Sequence, residues 1–371
     1  MDQTTITGAL AGAGFRFDCN LPELVGYAEQ HLRPLIGATQ APVVRTTLRW
    51  HDGQPDARLR SEAERLRMDR IDRDLYLAPD ELRWFRVDDL RDLYLRARWC
   101  DDQLEVEADF YFRLGNTPLT DRLRRLRQWS SRELLRRRRF PTLLAYLVYY
   151  PCWFWLERQR SLHPIHAAGV NLREGSVLLA GASGIGKSTL SVALALSSGA
   201  QMLSDSFVLH HDTSILPVRE PILLDEPSRK WLGDRAAALL PVEHPYGLKR
   251  HGYGLAPGRW ADAGEVSLLV FPRRCAEGYT RSLSAEGAHQ RLSAADLMIN
   301  DLRRYWAFAA VFEQLVPSGL VAQREAQLAE LTRRVPCYEF GVSQEMSCDD
   351  TVTMLLGLLA DRPRRVAGTG S

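Results

Sequence analysis

The stretch Gly181-Ala182-Ser183-Gly184-Ile185-Gly186-Lys187-Ser188 (GASGIGKS) decides the fold of the second half of this chain. It fits the pattern GxxxxGK[ST], whose glycines let successive backbone N–H groups turn towards phosphate oxygens. The lysine brings a point charge to the β- and γ-phosphates, and the serine hydroxyl reaches Mg²⁺. An apolar run, SVLLA, precedes the stretch and a small, apolar, helix-like segment follows it, as the pattern requires. The sequence therefore predicts an α/β domain that binds ATP and Mg²⁺ through Gly181, Ala182, Ser183, Gly184, Ile185, Gly186, Lys187, Ser188 and Thr189.

The use of lysine supports this interpretation. Of the 48 lysine and arginine residues in the chain, only Lys187, Lys230 and Lys249 are lysines. One of these three stands in the motif, where a compact ammonium charge is needed and a planar guanidinium would fit less well. This choice indicates a phosphate site rather than a glycine-rich turn without a ligand.

The bulk composition excludes several classes of protein. A chain of 371 residues is long enough for two domains, and a net charge of +2 does not suit a polyelectrolyte built for nucleic acid. The six cysteines are scattered without a CxxC pair, and the N-terminus lacks the basic and apolar regions of a secretory signal. We therefore expect a reduced, cytoplasmic protein.

Changes of pattern divide the chain into four segments. Residues 1–119 contain short alternating runs closed by turn residues, and predict an α+β N-terminal domain that contributes to substrate binding. Residues 120–159 form a basic and then apolar helical connector, and residues 160–360 form the nucleotide-binding catalytic domain. Residues 361–371 lack periodicity and predict a disordered tail.

The connector has two parts, each with two interpretations. Thr120–Arg139 carries nine arginines and is either a solvated helix or a docking surface for an acidic peptide, phosphate or nucleic acid. Phe140–Leu156 is strongly apolar, but it is shorter than the roughly 20 residues of a membrane span, and Pro141 and Pro151 interrupt it. We expect buried helices, or a helix and a strand, rather than peripheral membrane contact.

Three features resemble the HPr kinase/phosphorylase family and its HPr-kinase-related relatives. The loop GASGIGKST is similar to that family's GDSGIGKSE. His166 lies 15 residues before Gly181, where the family places a histidine, and Leu203-Ser204-Asp205-Ser206 falls where the family carries a pair of aspartates. The resemblance covers roughly residues 160–275 and implies a catalytic core shared with phosphoenolpyruvate carboxykinase.

The resemblance also implies roles for individual residues. Asp205 would accept the proton of the attacking hydroxyl and, with Ser188, bind Mg²⁺. His166 would orient Asp205 or contact phosphate, although a core histidine that satisfies a backbone group fits its position equally well. Lys187 would hold the transferred phosphate, and Arg259, in Ala256-Pro257-Gly258-Arg259, would neutralise charge in the transition state, as would Arg219.

The departures from the family pattern narrow the expected activity. Ser206 and Thr189 stand where the family has carboxylates, and the stretch that supports the reverse, phosphorylase reaction is not recognisable. We expect a kinase whose acceptor is a serine or another hydroxyl of a peptide or protein, such as a ribosomally made precursor peptide. By the same resemblance the chain is compatible with a homo-oligomer.

Two alternatives remain open at this stage. One is a small-molecule hydroxyl kinase whose pocket is closed by the Leu240–Trp260 segment, which reads as a long loop or lid. The other is a non-catalytic nucleotide-binding regulatory protein, which the missing second carboxylate at position 206 favours. Nucleic acid is not the expected partner, because Trp129 is the sole aromatic residue in the arginine-rich stretch.

Overall fold

A computed structural model of the chain describes residues 3–37, 40–55, 58–87, 90–114, 117, 120–121, 132–197, 199–242 and 250–360. The chain forms two compact units. Unit 1 contains Met1–Pro164 and Asn300–Ala326, and unit 2 contains Ile165–Ile299 and Gln327–Ser371. Unit 1 thus takes in the apolar part of the predicted connector and a second segment from beyond residue 299.

An eight-stranded sheet forms the centre of unit 1, in the order β1-β2-β3-β8-β7-β6-β5-β4. Its strands are β1 (Thr4–Leu10), β2 (Ala13–Cys19), β3 (Pro42–Asp52), β4 (Asp69–Asp72), β5 (Leu75–Ala78), β6 (Glu81–Val87), β7 (Leu90–Cys100) and β8 (Gln103–Phe112). β3 is parallel to both neighbours, and β8, β7, β6, β5 and β4 are antiparallel in turn. In β3, Val44, Leu48 and Trp50 are buried on one face, which confirms the predicted alternation.

The first helices of unit 1 are α1 (Pro22–His31), α2 (Arg58–Arg65), α3 (Arg132–Arg137), α4 (Phe140–Leu144) and α5 (Tyr150–Arg160). A π-helical stretch, Ala145–Tyr149, joins α4 to α5. The apolar segment is therefore helical and mostly buried, as predicted. In the described part of the chain no helix is long and apolar enough to cross a membrane.

Unit 2 is built on a mixed sheet that contains the order β12-β10-β11-β18-β14-β13, with β20 beside β18 and β19 beside β20. The strands from β9 onward are β9 (His163–Ile165), which contains the unit boundary, β10 (Ala167–Leu172), β11 (Gly175–Ala180), β12 (Gln201–Ser204), β13 (Phe207–His211), β14 (Ser214–Val218), β15 (Ile222–Leu224), β16 (Leu240–Val242), β17 (His251–Gly254), β18 (Gly264–Cys275), β19 (Tyr279–Leu283) and β20 (Cys337–Ser343). β18 runs parallel to both β11 and β20. The unit is thus mixed α/β, and the predicted strand pattern is confirmed over its central strands.

The remaining helices are α6 (Lys187–Ala195), α7 (Glu226–Leu232), α8 (Ala285–Met298), α9 (Asn300–Phe312), α10 (Leu320–Arg334) and α11 (Cys348–Ala360). Within unit 2, one apolar cluster joins the sheet to α6 and α11, and a second joins its opposite face to α8 and the C-terminal half of α10. α9 and the N-terminal half of α10 belong to unit 1.

Ile299 has an extended backbone (φ −92°, ψ 123°) and separates α8 from α9. One expectation from the sequence is wrong in detail. The Leu240–Trp260 segment was expected to be a long loop, but β16 and β17 pair within it and β15 joins them in a three-stranded sheet. Aromatic and β-branched residues at these positions provide strand partners that a composition rich in glycine and proline hides.

Part of the sequence-based account lies outside the described residues. This applies to most of the arginine-rich stretch, residues 122–131 with Trp129, to residues 243–249 of the expected lid, and to the expected disordered tail, residues 361–371. The domain limits at 119/120 and 159/160 are not boundaries of the compact units.

Candidate active site

The glycine loop, Gly181–Ser188, connects the end of β11 to the start of α6 in unit 2. Gly181, Gly184 and Gly186 have φ values of 142°, 79° and 106°, in the region that residues with a side chain rarely adopt. Gly186 is also the N-cap of α6, so the free N–H groups and the positive end of the helix dipole point towards the space that the loop encloses. The loop therefore has the backbone shape that an anion site at a helix N-terminus needs.

Lys187 is folded back into this loop. Its side chain is buried, and Nζ donates hydrogen bonds to the carbonyl oxygens of Gly181, at 2.7 Å, and Ala182, at 3.0 Å. The pKa of Lys187 is lowered to about 8, chiefly by burial and to a smaller extent by the charge of Arg250, against the opposing carboxylates of Asp205 and Asp296. The lysine is thus held ready to exchange two carbonyl partners for phosphate oxygens.

Asp205 follows β12 and faces the same loop. It is buried, and Oδ2 accepts a long hydrogen bond from the backbone N–H of Leu223, at 3.4 Å, whereas Oδ1 has no hydrogen-bond partner among the described residues. Burial raises the pKa of Asp205 to about 6, and the charge of Glu220 adds to the shift, although Ser188, Leu223 and Lys187 favour the ionised form. A buried carboxylate oxygen of this kind can accept a proton or bind a cation.

His166 forms another part of the wall. Its backbone N–H donates to Asp296 Oδ1 at 3.0 Å, and its ring lies against the ring of Phe207, with centroids 5.2 Å apart. The pKa of His166 is lowered to about 3, chiefly by burial and to a smaller extent by the charge of Lys187, and the backbone of Ser206 opposes the shift. The lowered pKa keeps the imidazole neutral, and within the described residues neither ring nitrogen makes a hydrogen bond of normal geometry.

These residues line one open pocket with a cavity volume of about 120 Å³. Its lining residues are His166, Ser183, Gly184, Gly186, Lys187, Ser188, Thr189, Asp205, Ser206, Leu223, Asp225, Ser228, Arg250 and Arg274. The pocket therefore brings together the glycine loop, the predicted histidine and the predicted aspartate, which are separate in the sequence.

Sequence reasoning missed four polar residues of this wall: Asp225, Ser228, Arg250 and Arg274. Asp225 is the N-cap of α7, where Oδ1 accepts the backbone N–H of Ser228 at 2.9 Å, and the Ser228 hydroxyl bonds to Thr189. Asp225 before Pro227 is a recognisable signal for the start of a helix, but not for a position in a pocket.

The two arginines singled out from the sequence do not line this pocket. Arg259 donates to the carbonyl oxygen of Ser197, at 3.4 Å, beyond the C-terminal end of α6. That end is about 13 Å, one helix length, from the glycine loop. Arg219 bonds to the carbonyl oxygen of Ala261 and to Asp262. Arg250 and Arg274 instead bring guanidinium groups to the pocket.

A magnesium ion would find few protein ligands here. In the described part of the chain no group of three or more histidine, cysteine or acidic residues could hold a metal by itself. Ser188, Asp205 and Asp225 nevertheless line the same pocket, and Asp205 Oδ1 is unpartnered. Mg²⁺ is ordinarily bound by one or two carboxylates, water and substrate phosphates, so this set fits an ion that arrives with a nucleotide.

Comparisons with known proteins add little to this geometry. No protein-family profile matches the chain. No curated protein is similar to it at the sequence level. Among solved structures, it is similar to the HPr(Ser) kinase/phosphatase from Coxiella burnetii, with 13% sequence identity and a TM-score of 0.24, over 53% of this chain and 93% of that chain. A likeness this weak carries no argument about the activity, so the function is inferred from the site.

Proposed function

We propose that the protein is an ATP- and Mg²⁺-dependent kinase that transfers the γ-phosphate to a serine or another hydroxyl of a peptide or protein. The observation that carries the proposal is the buried carboxylate of Asp205, which shares a pocket with Lys187 and the glycine loop and has one unpartnered oxygen. A Mg²⁺ ligand alone would serve nucleotide binding, whereas a buried carboxylate whose pKa is raised to about 6 can also accept the proton of an attacking hydroxyl.

The residues of the chain would divide the work of binding. The backbone N–H groups of the glycine loop and the start of α6 hold the phosphate oxygens, and Lys187 turns from its two carbonyl partners to the β- and γ-phosphates. Ser188 and Asp205 would hold the Mg²⁺, with Asp225 at the same pocket. When bound, Mg²⁺ neutralises phosphate charge and orients the γ-phosphate.

Asp205 would then act as the proton acceptor. The oxygen of the acceptor hydroxyl forms a bond to the γ-phosphorus, its proton goes to the Asp205 carboxylate, and the bond from the γ-phosphorus to the bridging oxygen breaks to release ADP. Because the pKa of Asp205 is about 6 before Mg²⁺ binds, the carboxylate is mostly ionised at neutral pH and more basic than an exposed aspartate. His166, held neutral, offers a hydrogen bond without adding charge.

The proposal can be tested with Asp205→Asn and Lys187→Ala. The full-length chain is incubated with ATP, Mg²⁺ and candidate serine peptides, including any precursor peptides encoded beside its gene, and the products are analysed by mass spectrometry. We expect Asp205→Asn to lower transfer by about 10²- to 10⁴-fold while nucleotide still binds. Lys187→Ala should weaken nucleotide binding as well, because the point charge on the phosphates is lost.

The outcomes separate the competing functions. Full transfer by Asp205→Asn would refute the assignment of the base. If both the wild type and Asp205→Asn bind ATP, but the wild type itself phosphorylates no peptide and no small hydroxyl compound, the protein is a regulatory nucleotide-binding protein. Phosphorylation of a sugar or an amino acid but of no peptide would indicate a small-molecule kinase. A homo-oligomeric state and a cytoplasmic location remain predictions from the sequence.

A further inference from the structure

Three arginines of unit 2 surround one buried carboxylate. Glu339, on β20, is only 1% exposed, and its carboxylate accepts hydrogen bonds from Arg281, at 2.7 Å, and from Arg291. Arg273 lies 3.8 Å away, and the hydroxyl of Tyr279 donates to the same carboxylate at 2.6 Å. We call Arg273, Arg281 and Arg291 the arginine cluster.

The outer surface of the arginine cluster is positively charged. Three guanidinium charges and one carboxylate give a net charge of 3 − 1 = +2. The side chains of Arg273, Arg281 and Arg291 are 63%, 59% and 38% exposed, whereas that of Glu339 is 1% exposed. The negative charge is therefore inside and the positive charges are at the surface.

The arginine cluster also has more donors than Glu339 can use. Three guanidinium groups carry about fifteen N–H donors, and a carboxylate offers about four acceptor positions. Tyr279 takes one of those positions. Burial alone would raise the pKa of Glu339, but the bonds from Tyr279 and Arg291 outweigh it and hold the pKa below its usual range. Glu339 thus orders the arginines and leaves outward-facing donors for another anion.

The arginine cluster and the candidate active site share two elements of unit 2, β18 and α8. Arg273 directly precedes Arg274 on β18, and side chains of consecutive strand residues point to opposite faces, so Arg274 lines the pocket while Arg273 reaches Glu339. Arg291 is five residues before Asp296 on α8, about 7.5 Å along the helix axis. Asp296 holds the backbone of His166 in the pocket wall.

We propose that the arginine cluster docks an acidic segment of the phosphoacceptor peptide. This inference rests on the proposed kinase function and names the class of its acceptor. Side-chain carboxylates match the fork of a guanidinium in two parallel hydrogen bonds. The compact arginine cluster and a net charge of only +2 for the whole chain favour a peptide over nucleic acid.

The test uses two fluorescein-labelled serine peptides that differ only in a run of aspartates or of asparagines after the serine. Fluorescence anisotropy at low ionic strength reports their binding to the full-length protein. We expect the aspartate peptide to bind more tightly, and Arg281→Gln to weaken its binding by about two- to fivefold, with a larger loss in the Arg273→Gln/Arg281→Gln double variant. Arg173→Gln, in an exposed turn of the same unit, removes the same charge and should have no such effect.

A fluorescent ATP analogue, measured on the same samples, separates the two inferences. If the analogue does not bind to the wild type, the proposed kinase function fails. If it binds equally to wild type and variants but the aspartate and asparagine peptides bind alike, the docking inference is overturned. Equal losses in Arg173→Gln and Arg281→Gln would also overturn it, as would displacement of the aspartate peptide by a much tighter-binding single-stranded oligonucleotide.

Discussion

We expect kcat/KM for phosphoryl transfer to be highest between about pH 6 and about pH 8, because Asp205 must be ionised and Lys187 protonated. The acidic limit follows from the burial of Asp205, which raises its pKa to about 6. The alkaline limit follows from the burial of Lys187, which lowers its pKa to about 8. At pH 7, Asp205 is therefore mostly ionised and Lys187 mostly protonated, as the proposed mechanism requires.

The size of the effect follows from the fraction of each group in its active form. One pH unit below the pKa of Asp205, only about one-tenth of the carboxylate is ionised, so kcat/KM should fall about tenfold for each further unit. The same holds one unit above the pKa of Lys187. The measurement is kcat/KM for ATP from pH 5 to pH 9, since this ratio reports the free enzyme, before bound nucleotide and Mg²⁺ change the local field.

Glu220→Gln provides a matched perturbation. The negative charge of Glu220 helps to raise the pKa of Asp205, so its removal should move the acidic limit to lower pH and leave the alkaline limit in place. An acidic limit at the ordinary carboxylate range, near pH 4, in the wild type would refute the reasoning about Asp205. Equal movement of both limits in Glu220→Gln would show that the substitution acts on something other than this carboxylate.

Three further predictions concern other parts of the chain. The buried carboxylate of Glu157 bonds to Arg324 and His163, and its pKa is held at about 2 against a usual 4.5. Roughly 3 kcal/mol of the free energy of unfolding should therefore be lost as the pH falls from about 4.5 to about 2. Denaturant unfolding measures this loss, which should be much smaller in Glu157→Gln. Gly186→Ala places a side chain at φ 106°, where no atom lies within 4 Å of the added carbon, so the only cost is backbone strain. The strain should lower Tm by a few degrees, and any relaxation of the loop should weaken nucleotide binding by about 1 kcal/mol in titration calorimetry. Arg259→Gln should keep the wild-type kcat, because Arg259 bonds beyond the far end of α6, and a large fall would restore the role assigned from sequence.

The sequence predicted the parts of the site that are local. The strand, the glycine loop and the helix after it are consecutive in the sequence. His166 and Asp205 were selected because of their distances in sequence from this loop. Asp225 and Arg274 could not be found in this way, because they come from a helix N-cap and a strand end 37 and 86 residues beyond Ser188 and belong to no motif. Their place in the pocket depends on strand pairing, which links β18 to β11 across the intervening chain.

The sequence also contained no indication that Asn300–Ala326 belongs to unit 1. Arg324 donates two hydrogen bonds to the fully buried Glu157, at 2.9 and 2.7 Å, across 167 residues of sequence. In the sequence, Glu157 and Arg324 look like the other charged residues of their helices, and no local pattern indicates that they meet. Around them, Tyr150, Trp153 and Tyr305 pack their rings together. A buried pair is tolerated only when both charges are present, so this contact requires the second segment to pack in unit 1.

A substitution at Ser206 tests directly what raises the pKa of Asp205. Ser206 lines the pocket beside Asp205, at the position where the resembled family carries a second aspartate. The pKa of Asp205 is raised mainly by burial, with the charge of Glu220 as a smaller cause. Ser206→Asp would add a like charge next to it, which disfavours ionisation of either carboxylate.

We therefore expect Ser206→Asp to move the acidic limit of kcat/KM to higher pH. It should also lower the Mg²⁺ concentration needed for half-maximal activity, because a second carboxylate becomes available to the ion. The measurement is the pH profile at saturating and at limiting Mg²⁺, with Ser206→Asn as the control of similar size and no charge. If Ser206→Asp left both the acidic limit and the Mg²⁺ dependence unchanged, position 206 would not face the reacting groups. Burial, with the charge of Glu220, would then account for the raised pKa of Asp205 without any influence from position 206.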